Sequence, residues 1–503
     1  MIQLPEYKLL IDNARKAATL ASCSTLLSWD QQTYMPPNGG GHRSEQLTLL
    51  AGMVHELETA PEIGEWLSIC ENSSLTNSSD SFEGANIREW RHSYNRHIKV
   101  PKRLIEELTL ARSNAFPAWV EARKKSDFKL LKPYLEEIVR LTREYADAIG
   151  YNQNRYDALI DGYEPGIKTS DVRFLFNELR NDLLPLINKA MNSHKQPDQG
   201  IFTRNFQIDL QRVFAEMLVA KIGFDFNGGR LDTVPHPFST QIGPGDLRIT
   251  TRWNEQNIES GLFSAMHEVG HALYNQGLPK EAWGTPAGSA CSLSVHESQA
   301  RLWENFIGRS LPFWQYFFPL LKAFFPRVLD DVVLESFVHA LNRVNFSYLR
   351  IGSDEGTYNF HIILRFELEV SMITGELEVV DLPEAWNTMF KKIFNLQVPD
   401  DARGCLQDAH WSDGDFGYFP TYTLGNIYAA QFISYVRKCY PNIDDDLSRG
   451  NFLPLLSWLN ENIYRLGSLY RSGELVKKIT GEPLNYKYLI NLLHSKYSDL
   501  YGI

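Results

Sequence analysis

The segment Ser264 to Gly277 reads SAMHEVGHALYNQG and holds His267, Glu268 and His271 in the spacing H-E-x-x-H. On a helix, residues four apart lie one above the other, roughly 6 Å apart along the axis, so both imidazoles can reach one metal ion. Glu268, beside the first histidine, suits a general base on a metal-bound water, because Zn2+ lowers the pKa of that water to near neutrality. A catalytic zinc needs a third protein ligand and an open fourth position. Glu297 in VHESQARLWENF, twenty-six residues beyond His271, is the candidate. The competing reading pairs Glu297 with Arg301 at i+4. His296 points about 100° away from its neighbour on a helix and suits a supporting or substrate contact rather than ligation.

These side chains need two helices to hold them. In the first, Leu262, Met266, Val269 and Leu273 form an apolar stripe pointing away from the histidines, Ser260 is the expected cap, and Gly277 with Pro279 marks the end. Gly277, Pro279, Gly284, Pro286 and Gly288 then supply enough turn chemistry to bring a second helix back beside the first.

HEVGH followed by HESQARLWEN resembles the HExxH and HESQ signatures of the carboxypeptidase Taq family of zinc metallocarboxypeptidases. The likeness continues in chain order. Asp246, Arg248 and Thr250 match the family's DxRxT motif, and Arg350 and Asp354 match IRxxAD, with Leu349 and Ser353 in place of isoleucine and alanine. Gly404, Gln407, Asp408, His410 and Trp411 match GxxQDxHW. The segments WDQQTYMPPNGGGHR (Trp29 to Arg43) and YEPGIKTSDVRFLFNELRNDLLPLI (Tyr163 to Ile187) add to it. The resemblance implies a large, mainly α-helical metallopeptidase fold with a deep groove, the metal near its floor, and a homodimer. It implies Arg350 as the anchor for a terminal carboxylate, since arginine binds carboxylates in a fork with a charge that does not titrate. An i,i+4 pair with Asp354 is the competing role. His410 and one of Tyr418 or Tyr422 are candidate donors to the oxyanion, against the alternative of packed aromatics with satisfied polar tips. Arg248 is a substrate-binding candidate on a strand that could take the peptide backbone by β-augmentation, or it pairs with Asp246 to fix that strand.

Along the chain, helical spacing is expected over Tyr7–Thr25, Arg43–Leu57, Asn86–His97, Pro101–Phe116, Leu130–Asn154, the part of Tyr163–Ile187 after Thr169 or Ser170, and Leu210–Ile222. Loops are expected at Trp29–Arg43, Glu71–Ala85, His194–Gly200 and Gly404–Asn426. Between Gly229 and Thr251, glycine, proline and β-branched residues predict a small antiparallel sheet beside the zinc helix, with DLRITT as a strand. Ile427 to Ile503 reads as amphipathic helices without a polar constellation, hence core and dimer surface.

A net charge of −11 argues against nucleic acid or an anionic membrane as partner. No run of eighteen apolar residues occurs, and the N-terminal stretch does not read as a signal peptide. Cys23, Cys70, Cys291, Cys405 and Cys439 are odd in number with no C-x-x-C pair, as expected for reduced cytoplasmic thiols, so Asn72 and Asn77 read as loop residues rather than glycosylation sites. The expectation is a single metallocarboxypeptidase unit over 1–503, divided into two helical halves flanking a cleft. It binds Zn2+, with Co2+ tolerated, and removes single residues from peptides with a free C-terminus. The alternatives are a zinc oligopeptidase or dipeptidyl carboxypeptidase, and a non-catalytic zinc-stabilised scaffold, against which the base Glu268 argues because a structural zinc closes its fourth position.

Overall fold

The structure, a computed structural model, describes residues 4–78 and 80–503. Met1 to Gln3 of the N-terminal stretch and Ser79 of the expected polar loop lie outside the described residues. The fold is mainly helical, with one three-stranded sheet. Two compact units are distinguished, one comprising residues 1–97, 197–341 and 428–484, the other 98–196, 342–427 and 485–503. No helix among the described residues is long and apolar enough to cross a membrane.

The first unit opens with α1 (Pro5–Thr33) and α2 (Gly40–Glu58). Tyr7 and Leu10 of α1 form a core cluster with Ile63, Leu67 and Cys70 of the helix Pro61–Glu71 and Ile87 of the helix Phe82–Lys99, whereas α2 has no buried residue. The loop expected over Trp29–Arg43 is far shorter. Trp29 to Thr33 complete α1, and a single turn at Pro37–Gly39 leads straight into α2. Proline is tolerated there because the first turn of a helix has no intrahelical use for its missing N–H, so these prolines start a helix rather than break one.

The sheet consists of β1 (Gly229–Thr233), β2 (Ser239–Gly243) and β3 (Asp246–Thr251) in the order β1-β3-β2. It is mixed rather than wholly antiparallel: β2 pairs with β3 antiparallel, but β1 pairs with β3 parallel. The DxRxT strand β3 is therefore central, and its ladder is taken on both sides. Leu247 and Ile249 are buried, and Thr251 Oγ1 donates to the Gly261 carbonyl at 2.7 Å, tying β3 to the next helix. That helix, α3 (Ile258–Gly277), carries the H-E-x-x-H residues, and α4 (Leu293–Arg301) packs beside it. Immediately after α4, Leu302–Ile307 continue as a wider π-helical turn.

In the second unit, helices Lys102–Lys125, Lys132–Ile149 and Thr169–Met191 accompany α5 (Tyr358–Thr374) and the first turns of α6 (Pro420–Cys439). Pro101 caps its helix rather than lying inside it, and that helix continues past Pro117 to Lys125. The expected loop Gly404–Asn426 is irregular only up to Phe419, since Pro420 begins α6 and Tyr422 lies in its first turn.

Candidate metal centre and its surroundings

The start of α3 is capped by Asn257, whose side chain accepts from the Ser260 backbone N–H at 3.0 Å. Ser260, the residue expected to cap, is already within the helix. Leu262, Met266, Val269 and Leu273 are all buried, as their stripe requires. Gly270, inside HEVGH, decides how near α4 can come: a Cβ there would meet Ala300 Cα and the Gln299 carbonyl at 2.6 Å. With no side chain at 270 the helices touch backbone to backbone. Gly284, at φ +78°, turns the connection between them, and Ser292 caps α4 by accepting from the Val295 N–H at 3.1 Å.

This packing brings His267, His271 and Glu297 together as a group that could hold a metal ion. Glu297 Oε2 lies 3.7 Å from His267 Nε2 and 3.5 Å from His271 Nε2. Donors about 2.1 Å from a tetrahedral ion stand roughly 3.4 Å from one another, so the spacing fits a metal of that kind. The other ring nitrogens are held. His267 Nδ1 is 2.9 Å from Glu304 Oε2, and His271 Nδ1 is 3.1 Å from the His296 carbonyl. Both partners only accept, so in the neutral rings each Nδ1 carries the proton and each Nε2 has its lone pair to offer a metal.

Electrostatics favour a cation here. Burial by itself lowers the pKa of His267, but Glu297 and Glu304 outweigh it and raise it to about 9. Burial likewise opposes ionisation of Glu297, yet Arg301 and the two imidazoles hold it well below the usual carboxylate range. Glu304, buried but facing Arg301 and His267, is held at about 2. Glu268 is buried, which raises its pKa against the opposing pull of the histidines. His296 does not join the donors. Its ring stacks on His271 at 4.3 Å, its Nε2 lies 3.3 Å from Asn275 Oδ1, and burial keeps it neutral. Both readings of Glu297 hold at once, since Oε1 accepts from Arg301 Nε at 2.6 Å while Oε2 faces the histidines.

Arg248 is engaged on its own strand. It makes two hydrogen bonds to Asp246 (2.9 and 2.8 Å), and its guanidinium lies 4.1 Å from the Trp29 ring. Thr250 is also used internally, accepting from the Phe238 N–H and donating to its carbonyl. These contacts support the strand-fixing role of the motif, and a central strand offers no free edge for augmentation.

In the second unit Arg350 is 7% exposed and does not pair with Asp354. Residues 350–354 are not helical, and Asp354 instead accepts from the backbone of Asn345, Gly356 and Thr357. Arg350 donates through Nε and Nη2 to Asp408 Oδ1 (3.1 and 2.7 Å) and through Nη1 to the Tyr358 hydroxyl (2.6 Å). Arg365, fully buried on α5, holds the other oxygen of Asp408 at 2.7 Å. Desolvation opposes charge on Asp408, but the two guanidinium groups hold it far below the carboxylate range. His410, Tyr418 and Tyr422 do come together: His410 Nε2 is 3.2 Å from the Tyr422 hydroxyl, its ring is 5.4 Å from that of Tyr418, and Arg350 lies 5.0 Å from the Tyr422 ring. Behind them Glu369 accepts from Tyr156 Oη (2.6 Å), Trp411 Nε1 (2.8 Å) and Gly417 N (3.1 Å), and burial raises its pKa to about 7.

The sequence reading missed Glu304, Tyr358, Arg365 and Glu369. Only Glu304 left a signal, seven residues after Glu297 and so two turns along the same face.

The carboxypeptidase Taq (M32) metallopeptidase family model matches residues 10–497. Thermostable carboxypeptidase 1 of Thermus thermophilus is 44% identical over 506 residues, covering 99% of each chain. Carboxypeptidase 1 of Bacillus subtilis is 35% identical, covering 98% of each. Among solved structures, the M32 carboxypeptidase from Deinococcus radiodurans superimposes with a TM-score of 0.96 at 36% identity, covering 99% of this chain and 100% of that one.

Proposed function

Because this chain belongs to the carboxypeptidase Taq (M32) family of metallopeptidases, and so is a metal-dependent carboxypeptidase, we propose a zinc enzyme that releases single amino acids from the free C-terminus of peptides. The observation that carries this reading is the convergence of His267 Nε2, His271 Nε2 and Glu297 Oε2 beside Glu268. Two imidazoles and a carboxylate suit Zn2+ and tolerate Co2+. When bound, the ion would polarise the scissile carbonyl and make water acidic at neutral pH.

The residues of the chain supply the rest. Glu268 accepts the proton of the attacking water and passes it to the leaving amine, a task helped by the raised proton affinity that burial gives it. Arg350 takes the terminal carboxylate. Asp408 and Tyr358 occupy three of its five N–H groups, and two remain for a fork. Asp408 neutralises one guanidinium, and Arg365 keeps the cluster net positive. His410 with Tyr422 or Tyr418 donates to the oxyanion. We extend this reading to a cytoplasmic homodimer, on the family resemblance and on five cysteines of which none is joined in a disulfide among the described residues.

The test is mass spectrometry of free and C-terminally amidated peptides incubated with zinc-loaded and chelated protein. A ladder losing one residue at a time, only from free ends and only with metal, is expected. Dipeptide or internal cuts would replace the step size we assign, and cleavage by Glu268→Gln at the wild-type rate would remove the base from the mechanism.

A further inference from the structure

We propose that Arg301 and Glu304 are positioning residues for the metal: Arg301 confines Glu297 to ligation through one oxygen, and Glu304 fixes the ring of His267. The proposal rests on the metal reading above.

A carboxylate with two available oxygens can chelate an ion through both. Glu297 has only one to offer, because Oε1 accepts from Arg301 Nε at 2.6 Å and Oε2 alone faces the imidazoles. The same guanidinium reaches on through Nη1 to Glu304 Oε2 at 3.2 Å, the oxygen that also accepts from His267 Nδ1. One arginine thus spans the ligand carboxylate and the carboxylate behind a ligand imidazole. It is 9% exposed, and Glu297 is 5% exposed.

A buried cation beside a cation site opposes entry of the ion. Apolar residues of similar volume often hold a helix at least as well as a buried ion pair. Helix packing alone therefore does not account for Arg301; its effect on the two carboxylates does. With Glu297 held to one oxygen, the chain contributes three ligand atoms and leaves a coordination position for water or substrate, as catalytic sites require. A Glu297 free to bind through both oxygens would fill it. Glu304 in turn keeps the His267 Nε2 lone pair aimed at the ion, a task for which outer carboxylates are commonly used.

Cobalt(II) is the probe, because its visible absorption weakens as coordination number rises. Cobalt-loaded Arg301→Met is expected to show weaker absorption and lower kcat. Glu304→Gln is expected to keep the wild-type spectrum and lose about 10- to 100-fold in cobalt affinity. If Arg301→Met lost affinity in step with thermal stability and its spectrum stayed the same, the residue would be structural and the proposal overturned. Arg301→Lys keeps a cation on Glu297 but has no second arm for Glu304, so it should behave like Glu304→Gln. It decides the matter if Arg301→Met does not fold: an altered spectrum at unchanged affinity would overturn the assignment. Undiminished cobalt binding by His271→Ala would instead sink the metal reading itself, a pattern distinct from all of these.

Discussion

His410 Nε2 and the Tyr422 hydroxyl lie 3.2 Å apart, and the ring of Tyr418 is 5.4 Å from both partners' rings, except that His410 and Tyr422 centroids are 6.2 Å apart. Burial lowers the His410 pKa to about 4, so its ring is neutral at physiological pH and shares one hydrogen bond with the phenol. Tyr422→Phe deletes that hydroxyl and leaves the ring. We expect kcat to fall about 100-fold with KM nearly unchanged, as for loss of one oxyanion donor. Tyr418→Phe should cost less. Steady-state kinetics on one free peptide decides which tyrosine serves.

Gly270→Ala should separate α3 from α4. Its Cβ would meet backbone atoms, which cannot swing aside. We expect a stability loss of about 1–3 kcal/mol, typical of overpacking, accompanied by weakened zinc binding because His267 and His271 move away from Glu297. Denaturation curves and a zinc titration read the two effects separately, and unchanged zinc affinity would contradict the role given to this glycine.

Glu369 and His410 titrate in opposite senses. Glu369 is raised by burial from 4.5 to about 7, so its protonated form favours the folded state; its contribution is full below about 4.5 and is lost as pH rises to about 7. His410 is lowered by burial from 6.5 to about 4; its contribution is present above 6.5 and is lost as pH falls to about 4. Glu369→Gln should therefore make stability fall more steeply on acidification from pH 7 to 4.5. Urea denaturation at half-unit pH steps would show it, and parallel wild-type and variant profiles would refute it.

Arg350→Met should lower kcat/KM for peptides with a free C-terminus by roughly 10- to 100-fold, the worth of hydrogen bonds to a charged group. Amidated peptides should be affected little. Equal losses on both substrates would show that Arg350 supports the site through Asp408 rather than anchoring a carboxylate.

The candidate metal ligands were legible because helical spacing converts directly into a shared face, as for His267 and His271. Glu297 needed turn chemistry as well, and the run from Gly277 to Gly288 supplied it. The partner of Arg350 was not legible. The nearby Asp354 offered an i,i+4 pair, but that argument holds only on a helix, and the segment is a turn whose backbone N–H groups claim Asp354. Asp408 comes from 58 residues away. Strand pairing was likewise beyond local pattern: DLRITT reads as a strand, yet nothing in its alternation says that it is central or that β1 joins it parallel. Proline misled twice, at Trp29–Arg43 and at Pro420, because the residue that breaks a helix interior also begins one.

The π-helical turn at Leu302–Ile307 places a constraint on chain length itself. A turn of this kind holds one residue more than an α-helical turn. Deleting one of these six residues would let the segment relax to ordinary pitch with all that follows kept near its present angle, whereas inserting one would swing it by about 100°. Arg309, whose Nη1 reaches Glu259 on α3 at 3.0 Å, would leave its partner. Between Glu297 and Arg309, therefore, substitutions are tolerated where the side chain faces away from the candidate metal ligands, and a residue removed from the wide turn is easier to accommodate than one added.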